Sequence, residues 1–245
     1  MPKRHAGFFE NKALKSNMAV VLKYTSMFPQ PQRKNNMLKQ DFTFGTISGI
    51  KVGLSWSFLG LLVAAGLLGG LPAVAFFTLL FASVLVHELG HAFTAQHLGF
   101  PCKEITLHVA GGIAYLKVPR EPKYEFIIAI AGPAVSLAIA GVAFGANELL
   151  KVDFLETLFY VNLILGLFNL VPAFPTDGGR VLRAGLASLM GFEKATNIVV
   201  VISFVICAFG LAYAIYDIRP MLGFVSILLA GMALAEKKSL QQEVF

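Results

Sequence analysis

The sequence predicts an α-helical polytopic membrane protein with about six transmembrane helices and a short membrane-associated β-hairpin. Hydrophobic residues make up 56% of the 245 residues, and charged residues make up only 14%. A soluble domain is usually about 45–50% apolar and about 25% charged. The excess lies in long apolar stretches that are separated by short segments rich in glycine, proline or charge. Stretches of this length predict helices that cross a membrane.

Six apolar spans follow one another along the chain. The first contains Trp56 near its start, and tryptophan is typical of the membrane interface. Residues 69–72 (Gly-Gly-Leu-Pro) predict a tight turn before the second span. Pro172 and Pro175 end the fourth span, because proline interrupts helical hydrogen bonding. The predicted spans are residues 52–68, 73–98, 124–146, 155–171, 196–216 and 220–235.

Two segments have an extended rather than a helical pattern. Residues 105–118 alternate between apolar and other side chains, which is typical of strands. Gly111-Gly112 lies in the middle of this segment and predicts a hairpin turn. Residues 42–51 are short and punctuated by glycine, which favours a strand or a surface turn. A small β-structure is therefore expected beside the helices.

Charge divides the chain into three parts. Residues 1–41 hold eight Lys/Arg and two Asp/Glu, and so carry all of the net charge of +6. We expect a basic, weakly ordered arm over residues 1–41, a membrane domain over residues 42–236, and a short polar tail over residues 237–245. The arm shows neither a nucleic-acid-binding module nor interleaved aromatic residues, so no nucleic-acid partner is expected.

The charges of the loops orient the predicted domain. An even number of spans places both termini on one side of the membrane. The loops after the second and fourth spans carry seven Lys/Arg, whereas the opposite loops carry only Lys151 and Arg219. Because positive loops stay in the cytoplasm, both termini are predicted to be cytoplasmic. The plasma membrane of a prokaryote is the expected location.

The second span carries an ionisable motif in its latter half, His87-Glu88-Leu89-Gly90-His91. Ionisable groups at membrane depth are costly and are usually functional. Positions i and i+4 share one face of a helix, so His87 and His91 can bind one metal ion. Glu88 is then placed to take a proton from a metal-bound water, which is the chemistry of a hydrolase. A chance motif on a buried helix is the alternative.

A catalytic zinc ion commonly has three protein ligands, and the motif supplies two. Asp177 is the best candidate for the third. It lies in a segment rich in proline and glycine, residues 175–180, at the end of a span. Such backbone is tolerated at membrane depth where it packs against protein or lines a wet cavity. The alternative is that Asp177 caps a helix over residues 178–189.

Three more residues have both a functional and a structural interpretation. Asn169 could bind the backbone of a substrate or a developing oxyanion, or it could hydrogen-bond between helices. Gly111 and Gly112 could form a plain hairpin turn. They could also belong to a strand whose free edge, close to the metal, binds an unwound substrate segment through main-chain hydrogen bonds.

Two other functions could use the same residues. A metal transporter needs polar residues along a path across several spans, but the charges here cluster at one depth. An adaptor that binds clients without cutting them would not need Glu88. The sequence therefore favours a hydrolase over both.

In their order and spacing, these motifs resemble the site-2 protease family of intramembrane zinc metalloproteases. The resemblance covers residues 42–235 and rests on three features of the sequence. These are His87-Glu88-Leu89-Gly90-His91, Gly111-Gly112, and Asn169…Pro172…Pro175-Thr176-Asp177-Gly178-Gly179-Arg180.

The resemblance implies a role for each motif. His87, His91 and Asp177 would bind Zn²⁺, Glu88 would be the catalytic base, and Asn169 would help to hold the substrate. The implied activity is cleavage of transmembrane segments of other proteins in regulated intramembrane proteolysis. The implied partners are a transmembrane protein substrate and the lipid bilayer, and residues 42–236 would be the protease domain.

The resemblance also implies that the Gly111-Gly112 hairpin is a membrane-embedded element that helps to bind substrate. Many relatives carry CBS modules after the core, and others insert a PDZ domain. The sequence after the last span is short and ends at Phe245, so a compact form without either module is expected. Ala110 stands where relatives often have a bulkier apolar residue.

Overall fold

The computed structural model describes residues 41–109, 111–116 and 120–242, which form six helices and four strands. Residues 1–40 of the predicted N-terminal arm, Ala110, residues 117–119 and the last three residues of the tail lie outside these ranges, and Asp41 of the predicted arm begins β1. In chain order the elements are β1 (Asp41–Ile47), β2 (Ile50–Ser55), α1 (Trp56–His97), β3 (Cys102–His108), β4 (Gly111–Leu116), α2 (Pro122–Leu150), α3 (Asp153–Asn169), α4 (Asp177–Met190), α5 (Phe192–Tyr216) and α6 (Pro220–Gln242).

The strands form one sheet in the order β1-β2-β3-β4. The pairs β1–β2 and β3–β4 are antiparallel, and β2–β3 is parallel. A parallel pair requires a long crossover, which α1 provides. The prediction of extended structure at residues 42–51 and 105–118 is confirmed for the described residues of both segments, which belong to a single sheet.

The start of the first predicted span, at residue 52, is wrong. Residues 52–55 belong to β2, in which Ile50 and Val52 are buried. The helix begins only at Trp56, because Ser55 caps it. The Oγ of Ser55 accepts a hydrogen bond from the Ser57 N–H at 3.2 Å, which satisfies one of the free donors at a helix N-terminus.

The predicted turn at Gly111-Gly112 is also wrong. Both glycines are in β4, where Gly111 pairs with His108 and Gly112 pairs with Leu107. The chain has therefore already reversed direction before Gly111. Gly111 has a φ of 125°, a conformation that side chains with a Cβ rarely adopt.

The helix α1 contains the first two predicted spans. It is interrupted at Gly70, which has φ 66° and ψ −161°, and Pro72 follows without an N–H to donate. The predicted turn at residues 69–72 therefore corresponds to a break within α1. The part after the break, residues 71–97, is about 40 Å long at 1.5 Å per residue, which exceeds the hydrocarbon thickness of about 30 Å.

Four helices among the described residues are long and apolar enough to cross a membrane, namely α1, α2, α5 and α6. The fourth predicted span corresponds to α3, whose 17 residues stand at the short end of the spanning range. The helix α4 has 14 residues and includes Arg180 and Arg183. The protein is an integral membrane protein with a mainly helical fold and a small sheet, as the sequence predicts.

The core places the sheet against the end of α1 that carries the ionisable motif. Leu89 and Ala92 pack in one buried cluster with Ile50, Cys102 and Ile105 of the sheet. On a helix, residues that differ by two positions point in divergent directions. The packing of Leu89 on the sheet therefore leaves the neighbouring motif histidines to face the other helices.

Candidate metal centre

His87, His91 and Asp177 meet inside the helical bundle. The helix α1 places the two histidines one turn apart, with Nε2 atoms separated by 3.2 Å. The first residue of α4 brings the Asp177 Oδ2 to 3.0 Å from His87 Nε2 and 3.1 Å from His91 Nε2. All three residues are buried, at 3%, 5% and 8% exposure, so their polar atoms face one another rather than water.

The geometry of these three atoms fits a tetrahedral metal ion. Ligands about 2.0–2.1 Å from zinc in a tetrahedron are about 3.3 Å apart. The observed separations of 3.0–3.2 Å are close to that value. Two imidazole nitrogens and one carboxylate oxygen also form a donor set that catalytic zinc uses.

The hydrogen bond on the far side of His91 supports the same conclusion. Its Nδ1 lies 2.7 Å from the Ile128 carbonyl oxygen, which can only accept, so the proton is on Nδ1. The Gly132 N–H also approaches this Nδ1, at 3.3 Å, but the shorter contact decides the tautomer. In neutral His91 the Nε2 lone pair then faces the Asp177 carboxylate, an arrangement that a proton or a metal ion between them stabilises.

His87 is also held on the side of its ring that faces away from the centre. Its Nδ1 lies 3.0 Å from the Ser136 Oγ on α2, and Ser136 is fully buried. Partners of this kind fix the orientation of a histidine that binds a metal. The Ser136 hydroxyl and the Ile128 carbonyl therefore point both Nε2 atoms towards the centre.

Gly132 of α2 leaves room for the two imidazole rings. A Cβ built on this glycine would overlap the His91 Nε2 and would lie 2.7 Å from the His87 Nε2. No other residue type has a side chain small enough for this position. The glycine therefore lets the backbone of α2 pass directly beside the candidate ligands.

Glu88 lies beside the centre, between α1 and the sheet. A Cβ built on Gly112 would lie only 2.6 Å from the Glu88 Cγ and 3.2 Å from its Oε1, so the glutamate packs on the bare backbone of β4. Its carboxylate also interacts electrostatically with His87, His91 and Asp177. Glu88 is therefore near enough to the three candidate ligands to interact with them electrostatically.

Asn169 and Gly111 show no contact with this group in the described part of the chain. The Asn169 amide donates a hydrogen bond to the Leu165 carbonyl at 2.9 Å, one turn back in α3. Gly111 would have nothing within 4 Å of an added Cβ. Of the predicted site residues, the structure thus brings together His87, His91, Asp177, Glu88 and Gly112.

The alternative that Asp177 is a helix cap is wrong in position. The N-cap of α4 is Thr176, and Asp177 is the first helical residue. The Thr176 hydroxyl donates to the Val171 and Ala173 carbonyls, at 2.6 and 2.7 Å. These bonds shape the loop before α4 and leave the Asp177 carboxylate to the histidines.

The sequence interpretation missed the contributions of Ile128, Gly132 and Ser136. The Ser136 hydroxyl did give a signal, since it is a polar group in the middle of an apolar span. The Ile128 contact uses a backbone carbonyl, which no residue type reveals. Gly132 is one of 23 glycines, and its importance depends on which helix lies opposite.

A profile of peptidase family M50 matches residues 75–152 and 145–210 of the chain. The matched region includes the motif histidines, the supporting residues of α2 and the Asp177 segment. The chain belongs to peptidase family M50. This is the family of the site-2 proteases, so the family that the sequence motifs indicate is confirmed.

Individual relatives agree with the assignment. The solved structure of the site-2 protease from Methanocaldococcus jannaschii is 34% identical, with a TM-score of 0.63 over 80% of this chain and 95% of that one. The zinc metalloprotease MJ0392 of the same organism is 38% identical over 173 residues, which cover 68% of this chain and 50% of that protein. The Rip3 protein of Mycobacterium tuberculosis is 35% identical over 206 residues, covering 71% and 52%. The chain spans about half the length of these curated relatives.

Proposed function

We propose that this M50 family member is a zinc-dependent intramembrane endopeptidase that cleaves transmembrane segments of other membrane proteins. The convergence of His87, His91 and Asp177 next to Glu88, inside a membrane-spanning bundle, is the observation that carries the proposal. Buried ionisable groups at this depth are costly unless they serve a function. The names of the relatives, which include zinc metalloproteases and a site-2 protease, support the same function.

His87, His91 and Asp177 would hold the zinc. When bound there, Zn²⁺ supplies a Lewis acid that polarises the peptide carbonyl and makes water a better nucleophile. The chain itself moves the proton. Glu88 takes it from the attacking water as the water adds to the carbonyl carbon, and then gives it to the nitrogen of the leaving amine. One proton therefore passes through one carboxylate. The new C–O bond forms first, and the C–N bond breaks once that proton has reached the nitrogen.

Substrate would bind along β4. In the described part of the chain β4 is an outer strand of the sheet, with β3 as its partner. An unwound segment of a transmembrane helix could pair with its other edge by main-chain hydrogen bonds. Because Glu88 packs on Gly112 of β4, a peptide bound there would lie beside the proposed base. Gly111 and Gly112 thus remain substrate-binding candidates.

Asn169 remains a proposed substrate contact. Its bond to the Leu165 carbonyl uses one of two amide protons and leaves the amide oxygen free of that contact. The remaining groups could bind a substrate backbone or a developing oxyanion. The bond within α3 is equally consistent with a purely structural role, so an Asn169→Ala variant with normal cleavage would remove Asn169 from the mechanism.

The orientation of the chain follows from its loop charges. We infer that both termini are cytoplasmic, in the plasma membrane of a prokaryote, and that residues 42–236 form the protease domain. Lys103 and Arg120 lie on the inferred cytoplasmic side, and Lys151 lies on the opposite side. A tag at the C-terminus that is digested by protease added outside intact cells would contradict this orientation.

Zinc content tests the proposed ligands. We expect purified wild-type protein to carry about one zinc ion per chain, and the His91→Ala variant to lose most of it. The matched control is His97→Ala, which changes an exposed histidine of the same helix and should keep the zinc. Elemental analysis of the three proteins gives the answer, and full zinc content in His91→Ala would refute the assignment.

Gly112→Ala tests the position of Glu88. The new methyl group would push against the Glu88 Cγ at 2.6 Å and move the carboxylate away from its place. We expect cleavage to slow by about tenfold or more while zinc is retained, because a misplaced catalytic group costs rate. Gly45→Ala in β1, where a Cβ meets nothing within 4 Å, is the control. Normal cleavage by Gly112→Ala would show that this contact has no part in catalysis.

A further inference from the structure

A buried ion cluster joins three helices near the metal centre. Arg183 of α4 donates from Nε to the Glu125 Oε1 of α2 at 3.0 Å, and its Nη2 donates to the same oxygen. Its Nη1 donates to the Glu236 Oε1 of α6 at 2.7 Å. Arg183 and Glu125 are only 8% and 5% exposed. Arg180 adds a second cation, with its Nε 3.9 Å from the same Glu125 oxygen.

The cluster is a costly way to obtain stability alone. Removing charges from water is costly for each ion, and apolar side chains of similar volume often stabilise a protein as well or better. The Glu125 Oε2 is buried and has no hydrogen-bond partner among the described residues, which adds to the cost. What such a cluster provides is a fixed geometry, because a guanidinium group donates in set directions.

On one side, the cluster fixes the loop that leads to Asp177. The Arg183 guanidinium lies 4.9 Å from the centroid of the Phe174 ring, and Phe174 is 1% exposed. The Phe174 N–H donates to the Ser203 Oγ of α5 at 2.8 Å. Phe174 precedes Asp177 by three residues, so contacts that hold its ring and backbone also hold the start of α4.

On the other side, the cluster fixes the helix that supports the histidines. Glu125 lies one turn before Ile128 in α2, and the Ile128 carbonyl accepts the His91 Nδ1 proton. The same helix continues to Gly132, which passes beside both imidazole rings. The Glu125–Arg183 pair thus bridges the helix that orients the histidines and the helix that begins with Asp177.

We propose that Arg183 is a positioning residue that sets the distance of the Asp177 carboxylate from His87 and His91. The inference rests on the proposed function, because it takes these three residues as the zinc ligands. Arg183 touches none of the reacting atoms. It acts by holding α4 and the Phe174 loop against α2, so its effect is on the geometry and affinity of the metal site.

Lysine cannot replace Arg183 in this role. Its single ammonium group has no planar fork with which to reach Glu125 and Glu236 together and to stack on Phe174. Arg183→Lys therefore keeps the positive charge and removes the planar fork of donors. Arg219→Lys makes the same chemical change in an exposed Arg219–Asp217 pair at the far end of α5, and is the matched control.

The experiment measures zinc affinity by competition with a chelator and the absorption spectrum of the cobalt-substituted protein. Full-length wild type, Arg183→Lys, Glu125→Gln, the double variant, Arg219→Lys and His91→Ala are compared in detergent. Loss of a partner that hydrogen-bonds a metal ligand typically costs 10–100-fold in affinity. Arg183 acts on the ligands through α2 and α4, so its loss should fall at the lower end of that range. We expect Arg183→Lys to bind zinc about tenfold more weakly or worse and to alter the cobalt spectrum, while Arg219→Lys matches wild type.

We expect the double variant to lose less zinc affinity than the sum of the single effects, because both changes act on one pair.

Glu125→Gln protects the test against a folding failure. Glutamine keeps the size of the side chain and an acceptor oxygen, and Arg183 retains Glu236 as a partner. If Arg183→Lys does not fold, a smaller loss of affinity in folded Glu125→Gln supports the proposal, and wild-type affinity with a wild-type spectrum overturns it. The His91→Ala variant distinguishes a failure of the proposed function from a failure of the Arg183 inference alone. If wild type binds no zinc, or His91→Ala binds it equally well, the proposed function fails. If only the Arg183 and Glu125 variants behave as wild type, this inference alone fails.

Discussion

Replacing Glu88 by glutamine is expected to lower the rate of cleavage about 10²–10⁴-fold, the usual contribution of a general base. Glutamine has nearly the same shape and will still pack on Gly112, but it cannot accept a proton at neutral pH. The zinc content should not change, since the proposed ligands are His87, His91 and Asp177. The measurement is cleavage of a membrane-spanning substrate in liposomes, with elemental analysis of the same sample.

The control for this variant is Glu156→Gln. Glu156 is an exposed carboxylate in the first turn of α3, and its neutralisation should leave the rate unchanged. A Glu88→Gln protein that cleaves at the wild-type rate would rule out Glu88 as the base. A variant that loses zinc together with activity would instead mean that Glu88 supports the metal site.

Gly132→Ala is expected to weaken zinc binding about tenfold to hundredfold through one added methyl group. The new Cβ would overlap the His91 Nε2 and would lie 2.7 Å from the His87 Nε2. Neither ring can turn away freely, because their Nδ1 atoms are held by the Ile128 carbonyl and the Ser136 hydroxyl. Overpacking of a tight site costs about 1–3 kcal/mol, which corresponds to the expected loss of affinity.

Gly141→Ala provides the control for Gly132→Ala. Gly141 lies further along the same helix, where a Cβ would meet nothing within 4 Å. Alanine favours helix more than glycine by about 1 kcal/mol, so Gly141→Ala should retain zinc and fold at least as well. Chelator competition compares the two. If Gly132→Ala binds zinc like Gly141→Ala, the close approach of α2 to the histidines has no effect on the metal site.

The helical part of the fold is predictable because it follows from hydropathy. The apolar stretches at residues 124–146 and 196–216 lie within α2 and α5, and the membrane excludes most alternatives to a helix. The histidine pair is also predictable, since the spacing of His87 and His91 fixes their shared face on any helix. Asp177 could be inferred because a metal that meets two histidines needs a third ligand.

The errors at residues 52–55 and at Gly111-Gly112 have a physical origin. A short apolar run has the same pattern in a buried strand and at the start of a helix, so β2 could not be separated from α1. A glycine pair is typical of a turn, but glycine in a strand also marks a close approach of another group. At Gly112 that group is Glu88, whose position depends on packing between distant segments.

The supporting residues of the site depend on contacts that the sequence does not encode locally. Ser136 and Gly132 matter because α2 lies against the motif end of α1. Glu125 and Arg183 are separated by 58 positions, and nothing in their neighbours predicts that they form a pair. Which residues they contact becomes visible only once the helices are assembled.

The most direct test of the central claim is the mass spectrometry of fragments from a purified membrane protein with one transmembrane span, incubated in liposomes with this protein. We predict one pair of complementary fragments whose new ends lie within the apolar span. They should be present with wild type and zinc, and absent with Glu88→Gln or with a zinc chelator. Fragments that persist with Glu88→Gln, or cuts confined to the loops outside the span, would contradict intramembrane proteolysis by this site.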